Sequence, residues 1–237
     1  KAQENDTAAI LFTSGTTGNP KGVMLSHKNF VSDCYIAQSN LNIYHTDVFY
    51  ALLPLHHSYT MLAVFIEALS VGAELVFGKT LAVSKMLAEL KAGKITMLLG
   101  VPLLFNKLLA GIFKGIKAKG IVVFGIIKAL MGISYFFKKV FKVNIGSKLF
   151  HGILDKASLG NVRIAICGGG PLAPNVCRAY NEFGIDFVQG YGLTETSPII
   201  ALNPKEHFKI ASVGQYFISC MEMKILDPDE KGIGEVA

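Results

Sequence analysis

A group of hydroxyl and glycine residues near the start of the chain has the composition that a polyphosphate-binding loop requires. A short apolar run at residues 9–12, typical of a buried strand, precedes it. Lys21 follows the loop, whose members are Thr13, Ser14, Gly15, Thr16, Thr17 and Gly18. Glycine lets backbone N–H groups point inward, hydroxyls donate hydrogen bonds, and lysine supplies a full positive charge. The loop is therefore predicted to hold phosphate oxygens.

Two other loop types share this composition. A Walker A loop needs glycine immediately before its lysine and serine or threonine immediately after it, whereas Pro20 and Gly22 occupy those positions. A flexible surface loop is the other alternative, because glycine, serine and threonine are common in such loops. Composition alone leaves the surface loop open.

Two further polar loops follow short apolar runs later in the chain. The run at 162–167 leads into Gly168, Gly169, Gly170 and Pro171. A triple glycine permits close approach to a flat ring, although a tight strand-to-helix turn needs the same residues.

The run at 186–188 leads into the second of these loops, which contains Gly190, Tyr191, Gly192, Thr194 and Glu195. Tyr191 could stack on a purine, and Thr194 offers a phosphate donor beside the carboxylate of Glu195, a candidate magnesium ligand. Ligands of open parallel sheets bind at the carboxyl ends of strands, so all three loops should converge on one crevice.

The segments TSGTTGNPKG, CGGGPL and QGYGLTETS resemble three motifs of the adenylate-forming superfamily, which includes acyl-CoA synthetases, firefly luciferases and peptide-synthetase adenylation domains. LPLHHSY at 53–59 resembles a fourth motif, which implies that His57 lies near the α-phosphate and the acyl carboxylate. A lone histidine is more often structural, but its place in the order of motifs favours the functional role. The resemblance extends over nearly the whole chain.

The resemblance implies ATP, Mg²⁺ and coenzyme A as cofactors and co-substrates. A carboxylate would attack the α-phosphate of ATP to give an acyl-adenylate and pyrophosphate, and the thiol of coenzyme A would then displace AMP. Lys21 and the loop amides would hold the β- and γ-phosphates, Thr194 the α-phosphate, and Glu195 the metal. The glycine run with Pro171, and the loop containing Tyr191, would bind adenine.

Three points about activity stay open at this stage. The family's long-chain fatty acyl-CoA synthetases have similar apolar, basic sequence at the place of residues 111–154, which favours a long-chain fatty acid as substrate. The acceptor could instead be a carrier protein, or the module could be catalytically inactive. The family's ribose-binding aspartate and its lysine-bearing C-terminal domain would come after Ala237, so this chain alone is expected not to complete a turnover.

Short apolar runs alternate with amphipathic stretches along most of the chain. This alternation predicts an α/β fold with a mainly parallel sheet and helices on both faces. Residues 1–200 would form the nucleotide- and acyl-binding core, with a basic apolar insert at 111–154. Residues 201–237 would begin a small β subdomain, because residues 221–226 alternate in polarity and a turn and a return strand follow.

Charge is distributed unevenly. Eleven lysines and no acidic residue lie between residues 91 and 154, whereas the rest of the chain carries a net charge of −5. Apolar residues separate these lysines, which argues against nucleic acid as a partner. The insert falls short of a membrane span because it is too polar, so we expect a surface-lying amphipathic helix pair or an internal packed hairpin. Peripheral membrane association is the role that a basic, apolar surface segment suggests.

Four widely spaced cysteines and the lack of an N-terminal signal pattern predict a reduced, cytoplasmic setting, with contact to the inner face of a membrane as an option.

Overall fold

The computed structural model describes residues 1–13, 19–80, 82–217 and 221–237 of the chain. Its strands are β1 (Thr7–Thr13), β2 (Lys21–Ser26), β3 (Val48–Ala51), β4 (Glu74–Phe77), β5 (Met97–Gly100), β6 (Ile164–Cys167), β7 (Asp186–Gly192), β8 (Ile199–Leu202), β9 (Gln215–Tyr216), β10 (Ile225–Leu226) and β11 (Glu235–Val236). Its longer helices are His27–Asn40, Ser58–Val71, Val83–Ala92, Pro102–Lys117, Ile121–Phe141 and Pro174–Phe183, with short ones at Gly146–Leu149 and His151–Lys156.

A seven-stranded sheet in the order β4-β3-β5-β6-β7-β8-β9 forms the centre of the fold. The strands from β4 to β7 are parallel, whereas β8 and β9 are antiparallel to their neighbours. Short β-branched and apolar strands separated by helices favour this arrangement, because each crossover helix covers one face of the sheet. The predicted α/β fold with a mainly parallel sheet is confirmed.

Both faces of the sheet are buried, and the alternation of side chains along β5 and β6 shows this directly. Leu98 and Ala165 belong to one apolar core, which packs against helices Pro102–Lys117 and Pro174–Phe183. Met97 and Ile164 belong to a second core on the opposite face, beneath helices His27–Asn40 and Ser58–Val71. Successive strand residues point to opposite faces, so near-continuous apolar runs are required here.

The first strand departs from prediction. β1 pairs only with β2, in an antiparallel two-stranded ribbon that is separate from the main sheet. Ile10 and Phe12 are 53% and 75% exposed, so the prediction of a buried strand at 9–12 is wrong. The segment predicted to bind phosphate therefore lies between two antiparallel strands and does not follow a strand of the parallel sheet.

The basic segment forms a helical layer over one face of the sheet. Helix Ile121–Phe141 is long and apolar enough to cross a membrane, yet it buries Met131 in the first core and packs beside helix Pro174–Phe183. Only 17% of its most apolar stretch is buried. The structure shows features of both arrangements expected from sequence. One side of the helix packs on the protein, as in a packed hairpin, and a large apolar face is exposed, as in a surface-lying helix.

The C-terminal residues continue the main sheet before they leave it. Strand β8 spans the boundary at residue 200 that the sequence suggested, and β9 still pairs with it. β10 and β11 then form a separate antiparallel pair. The division into a core at 1–200 and a small subdomain from 201 stays a proposal.

The buried carboxylate of Asp47 joins three neighbouring strands at the edge opposite their carboxyl ends. It accepts hydrogen bonds from the Thr96 hydroxyl at 2.7 Å and from Arg163, whose Nε lies 2.7 Å away. The Tyr44 N–H donates to it as well, at 2.8 Å. Burial alone would raise the pKa of Asp47, but these hydrogen bonds and the guanidinium charge together lower it.

Replacing Arg163 by Met should therefore destabilise the protein, because the Asp47 carboxylate would stay buried without its cation. Breaking a buried pair costs about 3–5 kcal/mol, and the partial exposure of Arg163 places the expected loss of unfolding free energy near 2–3 kcal/mol. Urea unfolding of the full-length protein measures the loss.

Lys91→Met is the matched control, because its partner Asp155 is half exposed, and it should change stability by less than about 0.5 kcal/mol. A folded-state pKa below the usual 3.8 gives stability that is present above pH 4 and disappears in acid. The difference between wild type and Arg163→Met should therefore shrink below about pH 4. Equal losses for the two variants, or a difference independent of pH, would contradict this role for Asp47.

Candidate functional site

A cavity of about 900 Å³ opens at the carboxyl ends of the parallel strands and runs along one face of the sheet. The segments that directly follow β3, β5 and β6, together with the end of β7, form its mouth. Parallel strands deliver their carboxyl ends to one edge, and side chains there can converge although they are far apart in sequence. Convergence on one crevice was the central prediction for the site.

Ten of the predicted site residues line this cavity: Thr13, Lys21, His57, Gly168, Gly169, Gly190, Tyr191, Gly192, Thr194 and Glu195. Gly170 and Pro171 do not line it, so the glycine run contributes only its first two residues. Ser14, Gly15, Thr16, Thr17 and Gly18 lie outside the described residues. The structure thus brings together the described parts of all four motifs, and the roles of individual residues stay predictions.

Polar and charged groups concentrate at the mouth. Lys21, His57, Tyr191 and Glu195 are all exposed, and Lys21 lies at the end of the ribbon, where it pairs with Thr13. Two cation-capable side chains and one carboxylate therefore surround an opening that solvent can reach. Such a mouth suits a charged ligand better than an apolar one.

Ser58 and Tyr59 are contributors that the sequence reasoning missed. The Ser58 hydroxyl lies 3.1 Å from that of Thr194, which ties the histidine segment to the loop after β7. The Tyr59 hydroxyl donates to the Ile166 carbonyl at 3.0 Å, and its ring packs on Gly168. The sequence could have indicated both residues, because they directly follow His57 and residues adjacent to a site residue lie near the same site.

Two glycines at the mouth, one after β6 and one in β7, have no room for a side chain. A Cβ on Gly168 would lie 3.0 Å from the Tyr59 ring, and one on Gly192 would lie 1.7 Å from the Pro198 carbonyl oxygen. Both glycines are therefore required for close packing between neighbouring segments of this chain. The flat ring that Gly168 contacts in this structure is that of Tyr59.

The interior of the cavity is apolar. On the sheet its walls come from Phe49, Met97, Leu99 and Ile166 of the second core. Ala37 and Ala63 on the two covering helices, and Leu41 just after the first of them, complete the walls. A water-accessible space with such walls is suited to an apolar group. One cavity thus combines a charged mouth with a hydrophobic interior.

Thr60 and Glu67 interrupt the apolar wall. Both side chains are 2% exposed, and neither the Thr60 hydroxyl nor either Glu67 oxygen has a hydrogen-bond partner among the described residues. Burial raises the pKa of Glu67, and burial together with the nearby Glu67 raises that of Asp33 to about 8, although the Ile199 N–H bonded to Asp33 acts in the opposite direction. No sequence pattern indicated these residues.

Among the predicted site residues, Glu195 is the one candidate metal ligand. No group of three or more His, Cys, Asp or Glu side chains in the described ranges could hold a metal ion by itself. Mg²⁺ commonly binds through one or two carboxylates together with substrate phosphates and water. The exposed carboxylate of Glu195, beside the Thr194 hydroxyl at the mouth, fits that mode.

Comparison with known proteins gives a family match over almost the whole chain: the model described as "AMP-binding enzyme" matches residues 1–236. Long chain acyl-CoA synthetase 6, peroxisomal, from Arabidopsis thaliana is 33% identical over 236 residues, which are 95% of this chain and 32% of that protein. The long-chain-fatty-acid–[acyl-carrier-protein] ligase AEE15, chloroplastic, of the same organism is 26% identical over 264 residues, covering 97% and 36%.

A solved structure agrees with the fold. The ATP-bound MatB structure from Rhodopseudomonas palustris is 25% identical and superposes with a TM-score of 0.68, covering 97% of this chain and 37% of that one. The chain spans about a third of the length of the curated relatives that it matches.

Gly168→Ala tests the packing that shapes the mouth. The added methyl group would press on the Tyr59 ring, and overpacking of this kind costs about 1–3 kcal/mol of unfolding free energy. Urea unfolding of the full-length protein would show the loss. Gly111→Ala is the matched control, because its Cβ would meet nothing within 4 Å and the helix Pro102–Lys117 should gain about 0.5–1 kcal/mol. A neutral Gly168→Ala variant would mean that Tyr59 does not fix the geometry of the mouth.

Proposed function

The chain belongs to the AMP-binding enzyme family, and from this membership we propose that it is the nucleotide- and acyl-binding part of an AMP-forming ligase that activates a carboxylic acid. The proposed product is an acyl-CoA, formed through an acyl-adenylate with release of pyrophosphate and AMP. The cavity with a charged mouth and an apolar interior is the observation that supports this most strongly. A reaction between ATP and a fatty acid needs both environments in contact.

The charged mouth fits the first half-reaction. A carboxylate oxygen attacks the α-phosphorus of ATP, the new O–P bond forms, and the bond to the β-phosphate breaks as pyrophosphate leaves. Both reactants are anions, so the site must offset their repulsion and hold them in line. Lys21 supplies a positive charge at the end of the ribbon, and His57 and Thr194 face the same opening.

The adjacent residues give these groups their positions. The hydrogen bond between Ser58 and Thr194 fixes the relative placement of the histidine segment and the loop that would contact the α-phosphate. Tyr191 presents its ring at the same mouth, where it can stack on adenine. Glu195 would hold Mg²⁺, which supplies charge neutralisation to the phosphates when it is bound.

The apolar interior supports a long-chain fatty acid as the acid substrate. Two relatives whose printed names specify long-chain acyl or fatty-acid substrates match this chain over 95% and 97% of its length. One of them is named as a coenzyme A ligase and the other as a carrier-protein ligase. We infer coenzyme A as the acceptor because of the higher identity to the first. A thioester-formation assay of the full-length protein with each acceptor separates the two.

Lys21→Ala and Glu195→Gln should each slow acyl-adenylate formation by about ten-fold or more, because each would remove about 1.4 kcal/mol or more of transition-state stabilisation. ATP affinity should fall less, since these charges act mainly on the transition state. Pyrophosphate exchange measures the rate, and calorimetry measures ATP binding.

Lys28→Ala and Glu74→Gln are the controls, because both residues are exposed and lie outside the cavity wall. They should retain wild-type exchange. Exchange at the wild-type rate in Lys21→Ala or Glu195→Gln would refute the proposed roles.

Membrane association is the second part of this proposal, and an exposed apolar stripe on helix Ile121–Phe141 supports it. The stripe consists of Val122, Ile126, Ala129, Ile133, Phe136 and Val140, all exposed and spaced alternately by three and four residues. This spacing places them on one face of the helix. An apolar face of this length is unusual on a surface in contact with water alone.

Exposed lysines lie before the start of the stripe, whereas the three lysines near its end form contacts within the protein. Lys138 is buried and pairs with Asp186 at 2.7 Å, Lys139 donates to the Phe208 carbonyl at 2.6 Å, and Lys142 donates to that of Glu206 at 2.7 Å. Lys114, Lys117 and Lys119 at the start of the helical layer are exposed. We therefore propose that the stripe and these lysines contact the anionic inner face of a membrane, with the protein otherwise cytoplasmic.

Replacing Val122, Ile126 and Ile133 together by Ser should abolish co-sedimentation of the full-length protein with anionic vesicles. Removing three apolar side chains of this size from a lipid surface costs several kcal/mol at about 25 cal/mol per Å². Val31→Ser and Tyr35→Ser on another exposed helix are the matched controls and should leave binding unchanged. Binding that depends on neither the stripe nor salt would show that the helical layer is only a packed structure.

A further inference from the structure

Two buried polar side chains lie in the apolar wall of the cavity and have no hydrogen-bond partner in the part of the chain that the structure describes. Thr60 and Glu67 are on helix Ser58–Val71, seven residues apart, with Ala63 of the cavity wall between them. All three residues are buried and line the cavity. The polar pair therefore belongs to the same cavity wall as the residues that would contact the acyl chain.

Neither side chain is accounted for by the fold. A buried group without a hydrogen bond costs about 1–3 kcal/mol, and a carboxyl costs more. Cys34 and Gln38 lie close enough to Glu67 to oppose the rise in its pKa that burial causes. No donor among the described residues has hydrogen-bond geometry to either Glu67 oxygen, and the Gln38 amide donates to the Ser70 hydroxyl at 2.9 Å. Native proteins retain such groups mainly where a ligand or a function requires them.

The helix itself is irregular at this place. Residues Met61–Ile66, between Thr60 and Glu67, are wound as a π-helix. Such turns are rare and are frequent at functional sites, because they shift side chains relative to a regular helix. This is a second observation, independent of the missing hydrogen bonds, that marks the same stretch of wall.

The surroundings define the chemistry of the missing partner. Among the described residues no lysine or arginine forms an ion pair with Glu67 or with the neighbouring Asp33, and burial raises the pKa of the Glu67 carboxyl. A hydroxyl can donate to an ionised carboxylate and accept from a protonated one, so it suits Glu67 in both forms. It can also donate to or accept from the Thr60 hydroxyl. An ammonium group would suit only the ionised form and would have to be desolvated.

We propose that Thr60 and Glu67 form a recognition site for a hydroxyl group on the acyl chain, so that the preferred substrate is a hydroxylated long-chain fatty acid. This inference rests on the proposed function and names the substrate class of the same cavity. A chain without the hydroxyl would leave both protein groups unpaired in an apolar wall. Discrimination would thus come from the cost of burying unpaired groups.

The test compares hexadecanoic acid with a series of hydroxyhexadecanoic acids in which the hydroxyl is moved along the chain, using the full-length protein and acyl-adenylate formation. We expect one region of the chain at which the hydroxyl raises kcat/KM by about ten-fold or more, a factor typical of leaving one or two buried groups unpaired. Calorimetry of the same acids with the wild-type protein gives the preference without any substitution.

Substitutions assign the preference to these two residues. Thr60→Val and Glu67→Met remove the polar groups and should reduce the preference to within about two-fold, whereas Thr60→Ser and Glu67→Gln keep a hydrogen-bonding group and should retain it. Ser134→Ala is the matched control, because Ser134 is also buried and unpaired but lies outside the cavity wall. It should leave the preference unchanged.

The outcomes separate the two proposals. Equal kcat/KM for the plain acid and every hydroxy acid, with normal activity, would overturn this inference and leave the proposed function intact. The inference would also be overturned if the variants changed the unfolding temperature but not the ratio of kcat/KM between the hydroxy acid and the plain acid. A preference for an amino-substituted chain would overturn it as well. Failure to activate any fatty acid would instead contradict the proposed function.

Discussion

The geometry of the cavity depends on a buried carboxylate that lies far from it. Asp47 stands before β3, Thr96 before β5 and Arg163 before β6, and their hydrogen bonds fix the relative positions of the three strands at their amino ends. Each of these strands has only four residues, so a shift in pairing register at the amino end would displace the carboxyl end by the same amount. Aligned starts therefore place the loops after β3, β5 and β6 at one edge. Register in short, two-sided apolar strands is otherwise weakly specified, because either face can be buried.

The same sheet carries two different kinds of surface. On one face, aromatic side chains pack between the helices and the strands, and Phe105, Tyr180 and Phe187 contact one another. On the other face, helices His27–Asn40 and Ser58–Val71 leave a cavity between themselves and the strands. A close-packed interior tolerates a void of this size only where its loss of dispersion energy is offset by ligand binding. The filled face thus stabilises a fold whose open face remains available for binding.

The sequence alone predicted the features that depend on local pattern. Alternating apolar runs predicted the parallel sheet. The place of the polar loops after apolar runs predicted their convergence, although the first of these runs, in β1, lies outside the parallel sheet. Patterns failed for β1, whose apolar residues lie in a ribbon outside the sheet. Contacts set by tertiary pairing had no local signal: Gly192 lies against the Pro198 carbonyl, and Lys138 pairs with Asp186 across 48 residues. Thr60 and Glu67 carried no signal, because single polar residues in an apolar helix are indistinguishable from ordinary surface positions.

The link through Ser58 and Tyr59 has a thermodynamic consequence. Ser58 contacts Thr194, and Tyr59 contacts both Gly168 and the Ile166 carbonyl, so two consecutive residues bear on the ends of β6 and β7. Side chains that share partners in this way have coupled free energies, commonly by 0.5–3 kcal/mol in double-mutant cycles. The segment that contains His57 and the segments that follow β6 and β7 would then behave as one cooperative unit. A ligand bound at the mouth of the cavity would alter the affinity of the interior for a second ligand, and the second ligand would alter the affinity of the mouth by the same factor, as linkage requires.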